Sequence, residues 1–293
     1  MPLRVYNNLY SLTAQRNLGT NNASLGTSLE RLSSGMRINR GSDDAAGLAI
    51  SEGLRADIRS LQQATRNAYD GVSMINTAEG ALSEQSSILV RMRELAAQAA
   101  TGTVGSTERA TINREFSALR DEIDRISTVT EFNGQKLLNG ALNGDITTIK
   151  LNNGASANSV VIQIGMQAGW ADRISLNASV DLTAIDSTGL NITNISVTHV
   201  SSALDALGRI DSALARVTEA RGRLGAVQNR LVHTINNLAV SAENLQAAES
   251  QIRDADYSHE ISQFTRNQIL VQASTAILAQ ANLVPQSVLQ LLG

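Results

Sequence analysis

Ile210, Val217, Leu224, Leu231, Leu238, Leu245 and Ile252 occupy every seventh position of one uninterrupted stretch. That repeat specifies a helix with one narrow apolar seam, packed against another helix, and leaves little room for any other fold. A second stretch repeats the pattern: Leu54, Leu61, Ala68, Ile75, Leu82, Leu89 and Ala96. Its other seam position is filled by Ile58 and Val72 and then by Ala78 and Met92, which reads as a heptad seam with one slip. No proline lies between Pro2 and Pro285, so the usual helix breaker is absent from both stretches. At about 1.5 Å per residue, a helix over 45–101 is roughly 85 Å long, more than a compact domain requires.

The remaining signals organise the chain around these two helices. Ser42 or Asp43 can cap the first, and Gly102–Gly105 makes a reversal after it. A shorter helix follows, with Ser106 as its cap and a stripe of Ile112, Phe116, Leu119, Ile123 and Ile126. The stripe predicts an antiparallel hairpin with the first helix. Four Asn-Gly pairs begin at Asn133, Asn139, Asn143 and Asn153 and mark tight turns. Short β-like runs lie at Asp145–Leu151, Ser159–Gly165, Arg173–Leu176 and Leu190–Val197. Ser202 and Asp205 resemble a capping box at the start of the last long helix. The expected fold is mainly α: a long antiparallel helical rod, coiled-coil-like, with a small β-hairpin region and helical terminal arms.

The arms carry the clearest chemical signal. Residues 267–293 contain no Asp, Glu, Lys or Arg, yet ten of them are Asn, Gln, Ser or Thr, and Pro285 interrupts them, so they are not a membrane anchor. Ile269, Ala273, Ala276, Ile277 and Ala281 cluster on one helical face, followed by Leu283, Leu289 and Leu292. The N-terminal arm carries Leu9, Leu12, Leu25, Leu29 and Leu32. One chain has too few partners to bury this surface, so the arms are expected to pack on each other and on copies of the same chain. That set is the expected polymerisation core.

Composition excludes other classes. The formal net charge of −3 gives no footprint for nucleic acid. With no cysteine there is no disulfide or thiolate metal site. His199, His233 and His259 are too scattered for a metal centre. Asp254 and Asp256, beside His259 and Glu260, read as a helix surface or hinge, and Asp43-Asp44 as a helix-start charge pair. No nucleotide-binding, nucleophile-elbow or zinc-protease motif is present, so no catalysis and no cofactor are expected. Of 24 basic residues only Lys136 and Lys150 are lysine, and the planar arginine fork predicts contacts to carbonyls and carboxylates, many of them between subunits. Asn177, Asn191 and Asn194 match the weak N-glycosylation pattern.

Three blocks carry a resemblance. SLERLSSGMRINRGSDDAAGLAISEGLRADIRSLQQATRNAYDGVSMINTAEGAL (28–82), RMRELAAQAATGT (91–103) and EIDRISTVTEFNGQKLL (122–138) are similar to the N-terminal segment of bacterial flagellins. LGAVQNRL (224–231), AESQIRDADYSHEISQFTRNQIL (248–270) and QASTAILAQANLVPQSVLQLL (272–292) resemble the family's C-terminal segment. The resemblance implies a structural subunit of the flagellar filament, the propeller for swimming. It further implies extracellular export without a cleaved signal peptide and no membrane insertion. Implied partners are copies of itself, the hook–filament junction and cap proteins, and an export chaperone. It also implies an inner filament-core domain from 1–44 and 257–293, a rod domain from 45–140 and 201–256, and a short variable β-rich region at 141–200. Matching VRMRELAAQ and INREFSALRDEIDR places the family's Toll-like receptor 5 contacts at Arg91, Leu95 and Glu115. Arg91 beside an exposed Leu95 is the expected interface anchor. The rival within this resemblance is the hook–filament junction protein.

Overall fold

The computed structural model describes residues 8–140, 160–167, 169–180 and 184–292. In chain order the elements are helix α1 (Leu9–Ser34), α2 (Ala45–Ala100), α3 (Ser106–Val129), strands β1 (Glu131–Phe132), β2 (Gln135–Lys136), β3 (Val161–Gln163) and β4 (Arg173–Ser175), α4 (Leu176–Val180), α5 (Val200–Arg253) and α6 (Tyr257–Leu292). They form two compact units, one of residues 1–58 with 243–293 and one of residues 59–242. The boundaries of these units fall inside α2 and α5.

In the 59–242 unit, α2 runs antiparallel to both of its neighbours. Arg93 pairs with Asp211 at 2.9 Å and Gln228 donates to Asn76 at 3.1 Å, which fixes α5 against α2. Arg109 donates through Nε to the carbonyl of Ala99 at 2.9 Å, which fixes the start of α3 beside the end of α2. The α5 seam is buried from Ala203 to Leu238, alternating three- and four-residue steps over most of its length, while Leu245 and Ile252 are half-buried.

The α2 seam has no slip. Leu61, Ala64, Ala68, Gly71, Ile75, Ala78, Leu82, Gln85, Leu89, Met92, Ala96 and Ala99 are all buried at steps of three and four. The slip expected from Ile58 and Val72 came from looking only for large apolar residues. Val72 is half-buried, and the seam passes instead through Gly71 and Gln85. Gly71 is there because a Cβ would lie 2.3 Å from Ile162 Cδ1 of β3. Gln85 is wholly buried and donates through Nε2 to the carbonyls of Ile123 (3.3 Å) and Ile185 (3.1 Å). One amide thereby ties α2 to α3 and to the loop before α5.

Other details depart from the sequence reading. Asp44, not Ser42 or Asp43, caps α2 by accepting from Gly47 N at 2.9 Å. Asp43 closes the preceding turn, accepting from Asn39 N and Arg40 N. Ser106 is the first helical residue of α3, whose N-cap is Gly105 with no side-chain bond. Ser202 lies inside α5, whose first turn closes on His199 O. Asn133-Gly134 forms the two-residue turn between β1 and β2, both residues at positive φ as that hairpin requires. The runs at Ser159–Gly165 and Arg173–Leu176 contain β3 and β4, which pair antiparallel. Leu190–Val197 is not a strand: it coils through turns closed by Leu190 N to Asp186 O and Ile192 N to Ser187 O. Leu190, Ile192, Ile195 and Val197 enter the helical core, so this stretch has no edge free to pair. Asp145–Leu151 and the Asn143 and Asn153 turns lie outside the described residues.

Gln85→Glu replaces the amide donor by a carboxylate facing two carbonyls, and should cost about 3 kcal/mol or more in this unit. Urea unfolding would measure it. A loss under about 0.5 kcal/mol, the range of an ordinary surface substitution, would remove the amide's assigned role.

Candidate assembly surface

Within the 1–58/243–293 unit, α1 and α6 lie side by side and antiparallel. Asn8 Oδ1 caps α1 by accepting from Ser11 N at 3.1 Å. Asp256 Oδ1 caps α6, accepting from Ser258 N (2.8 Å) and His259 N (3.2 Å). The two connecting segments also pair: Arg37 N donates to Arg253 O at 2.7 Å and Ala255 N to Gly35 O at 3.0 Å, around a Met36–Asp254 bridge. Within the acidic cluster at 254–260, Asp256 is a helix cap and Asp254 joins the backbone bridge, and no group of three or more His, Asp or Glu side chains among the described residues could hold a metal.

Polar bonds stitch the pair from end to end. Asn8 Nδ2 donates to Ala281 O (2.8 Å), Asn21 Nδ2 to Ser274 Oγ (2.8 Å) and Asn267 Nδ2 to Ser28 Oγ (3.3 Å). Tyr257 OH donates to Leu32 O at 2.9 Å, and Arg31 pairs with Glu260 at 3.1 Å. The most deeply buried positions between the helices are small or polar, Ala14, Ser28, Ser274 and Ala281, and half-buried Leu18, Phe264, Val271 and Leu278 alternate with them. Leu25 and Leu32 take half-buried places beside them.

The large apolar residues mostly point the other way. Leu9, Leu12, Leu29, Ile269, Ile277 and Leu283 are each more than half exposed. Of the sequence-predicted polymerisation set, then, six residues form an outward apolar surface and two enter the seam. Leu289 and Leu292 belong to the last turns of α6, and their side chains lie outside the described residues. Ala281, grouped by sequence with the apolar face, belongs to the seam, because it sits seven residues after Ser274 on the inner stripe. Burying a Leu or Ile contributes roughly 1.5–3 kcal/mol, so this face is a strong driver for association.

The second candidate surface lies in the 59–242 unit. Arg91 donates through Nε and Nη2 to Glu115 Oε1 at 3.1 and 2.9 Å, and through Nη1 to Glu94 at 3.0 Å. Glu115 first, and Glu94 second, hold the guanidinium above its ordinary pKa. All three side chains are about half exposed. Leu95 is not beside them on the surface: at 2% exposure it is part of the helical core. It follows the buried seam residue Met92 by three positions, which turns it inward.

Sequence reasoning did not assign what four of the arginines do. Arg109, Arg120, Arg216 and Arg223 donate to backbone carbonyls of Ala99 and Thr101, Thr193, Gly189 and Val180 inside the same unit. These four forks seek carbonyls, as expected, and find them within the chain. Asn177 is buried and accepts from Val160 N, so it offers no acceptor site for a glycan.

Two carboxylates in the 1–58/243–293 unit give a pH dependence. Glu52 is held below its ordinary range mainly by the hydrogen bond from Arg253, and Asp43 by the backbone N–H groups of Arg40 and Asn39. Both contribute stability that is present above their ordinary values and lost as pH falls through their lower folded values. Hydrogen-exchange protection around 250–254 should therefore fall once pH drops below about 4.5, the ordinary Glu value. Glu52→Gln should already show the lower protection at neutral pH. Protection unchanged in that variant would rule out the Glu52–Arg253 bond as a tie.

Comparison with known proteins completes the picture. A model of the bacterial flagellin N-terminal helical region matches residues 5–143, and one of the C-terminal helical region matches residues 207–292. The chain is 47% identical over 288 residues to a flagellin of Halalkalibacterium halodurans, covering 98% of this chain and 99% of that one. It is 47% identical to a flagellin of Bacillus subtilis over 312 aligned positions, covering 99% and 100%. A solved flagellar hook-associated protein from Vibrio parahaemolyticus shares the fold at 16% identity, with a TM-score of 0.55 over 72% of this chain and 100% of that one.

Proposed function

The chain belongs to the bacterial flagellin family and is a structural subunit of the flagellar filament, and from that premise we propose that it polymerises by burying the outward face of its α1–α6 pair against copies of itself. The observation that carries this is the outward exposure of Leu9, Leu12, Leu29, Ile269, Ile277 and Leu283, while the most deeply buried positions between the helices are small or polar. A heterologous contact that does not close on itself grows into a helical polymer. Leu25 and Leu32 contribute to the seam, and Leu289 and Leu292 extend the apolar run toward the end of α6. The protein performs no catalysis and takes no cofactor. It works outside the cell, reached through the flagellum's own export channel with the help of an export chaperone, and meets the junction and cap proteins at the filament ends. Residues 1–44 and 257–293 form the inner filament core, 45–140 and 201–256 the rod, and 141–200 a short variable region.

The exposed Arg91–Glu115 pair supports recognition of the free subunit by Toll-like receptor 5. Leu95 supports that surface from beneath by fixing the α2 backbone, and makes no exposed contact of its own. In the filament this surface is covered by neighbouring subunits, so only free chain is recognised. No observation here favours the hook–filament junction reading: that likeness is one of fold alone, whereas the flagellin relatives are nearly half identical.

Ile269→Asn with Ile277→Asn should abolish seeded filament growth, seen by electron microscopy, while circular dichroism of the 59–242 helices stays unchanged. Filaments of normal length from that variant would refute the outward-face mechanism. Arg91→Ala should reduce receptor activation by free subunit at least about tenfold, as loss of an interface anchor worth more than about 1 kcal/mol does. Equal activation would remove Arg91 from the receptor surface.

A further inference from the structure

The turn between β3 and β4 is closed by its own hydrogen bonds. Ile164 N donates to Asp172 O at 2.8 Å and Gln167 N to Asp172 Oδ2 at 2.9 Å. Gln163 Nε2 donates to the carbonyls of Gly165 and Gln167 at 2.9 and 2.7 Å. This ordered turn holds Trp170, the sole tryptophan of the chain, 90% exposed, and Met166, 48% exposed. An indole side chain offers about 150–250 Å² for burial. Held in water it stabilises nothing within the chain, but a fixed indole loses little freedom when a partner covers it.

A hole of matching chemistry lies elsewhere in the same unit. A cavity of about 640 Å³ opens at the α2–α3 turn, lined by Gln98, Thr103, Val104, Glu108, Thr111 and Ile112. Val104 and Ile112 give it an apolar part, and Gln98 and Glu108 give it acceptors for an N–H donor. No basic side chain among the described residues forms an ion pair with Glu108. The hairpin end carries the opposite charge. Arg66 forks onto Gln63 Oε1 at 3.1 and 2.6 Å, and Arg173 Nε donates to Gln163 Oε1 at 3.0 Å. Both guanidiniums thus bond neutral amides, and neither forms an ion pair among the described residues.

Knob and hole cannot meet within one copy. The hairpin lies against α2 at Gly71 and at Asn67, whose Nδ2 donates to Gln163 O at 3.1 Å. The cavity lies at Gln98, near the end of the same helix. The stretch of α2 from residue 67 to residue 98 is roughly 45 Å long at about 1.5 Å per residue. A contact between the two features therefore joins two copies. The surfaces differ, so the contact is heterologous, and among copies pointing the same way it repeats without closing.

We propose that Trp170 of one copy docks into the cavity at the α2–α3 turn of the next, with Glu108 as acceptor for the indole N–H. The partner is a second copy of this chain. The inference rests on the assembly reading above and adds to it a contact between folded 59–242 units, separate from the face of the α1–α6 pair. Trp is among the residue types that carry most of the energy of an interface. Glu108 facing Arg66 and Arg173 of the next copy adds charge complementarity, which fixes which end meets which.

The sole tryptophan makes the test direct. In the free chain its emission should match indole in water and be fully open to acrylamide. In seeded filaments the emission should shift to the blue and the quenching constant should fall severalfold. Crosslinking identifies the covering surface, since the chain has no cysteine of its own. Gly169→Cys places a thiol beside the indole, at a position where a Cβ meets nothing within 4 Å. Combined with Thr111→Cys and oxidised in filaments, it should give a ladder of covalent multimers, because each copy carries one knob and one hole. Combined with Asp121→Cys, on an exposed part of α3, it should give none.

Filaments whose Trp170 stays fully open to quencher overturn the proposal and leave the assembly reading standing. Protection of the indole without the Thr111 ladder does the same, since another surface then covers it. So do covalent dimers from Gly169→Cys alone, which mean that knob meets knob. A parent chain that forms no filaments on seeds sinks the assembly reading, and this contact falls with it.

Discussion

The pairing of α1 with α6 rests on a seam whose most deeply buried positions are small or polar, flanked by half-buried apolar residues. Asn21, Ser28, Asn267 and Ser274 fill positions where a stable coiled coil would place leucine. Each such bond contributes about 1 kcal/mol at best, because the same groups bond well to water in the separated arms. The seam therefore aligns the arms without securing them. What secures them must come from the other side, where the leucines and isoleucines stand exposed.

The 59–242 unit solves the opposite problem. Its seams bury Leu, Ile and Met, and small residues such as Ala64, Ala68, Gly71 and Ala78 let the helices and the β3–β4 hairpin approach closely. Several of the polar groups it buries are tied down by specific donors and acceptors. Gln85 directs its two amide hydrogens at two carbonyls, and Asp124 accepts from both the N–H and the hydroxyl of Ser187. Arginine forks close loop carbonyls at Thr101, Gly189 and Thr193, which would otherwise lack helical partners. This unit has its own apolar core and its own ties, the conditions for folding without help.

Much of this was legible in the sequence because helices repeat their environment every seven residues. The α5 heptads at Ile210, Val217, Leu224, Leu231 and Leu238 needed no structure to be placed in the core. The α2 slip and the exposed Leu95 were misread for different reasons: Leu95 was placed on the surface by the resemblance, without reference to the seam. The sequence reading treated large apolar side chains as the seam, whereas the seam is a geometric track that small and polar residues also occupy. Following the track through Gly71 and Gln85 keeps it continuous, and shows that Leu95 lies beside Met92 and Ala96 on its inner edge. The arms were misread in the same manner. Their leucines were assigned jointly to pairing and polymerisation, but the track of Asn, Ser and Ala at seven-residue spacing shows which side faces which helix. The Arg31–Glu260 contact had no such signal, since a lone Arg and a lone Glu 229 positions apart announce nothing until the chain is folded.

The two units thus distribute apolar surface in opposite senses, and this has a thermodynamic consequence. A unit with leucine inside has a stability that belongs to the single chain. A unit with leucine outside has a stability set largely by the concentration of whatever covers that surface, since association adds to folding by mass action. In the proposed assembly the arms are therefore ordered most firmly where subunits are crowded together at the end of a growing polymer. An arm pair with an apolar seam would be firm everywhere, and would gain less from assembly. The polar seam keeps the free arms weak, so that their ordering and their burial against the next subunit become a single step.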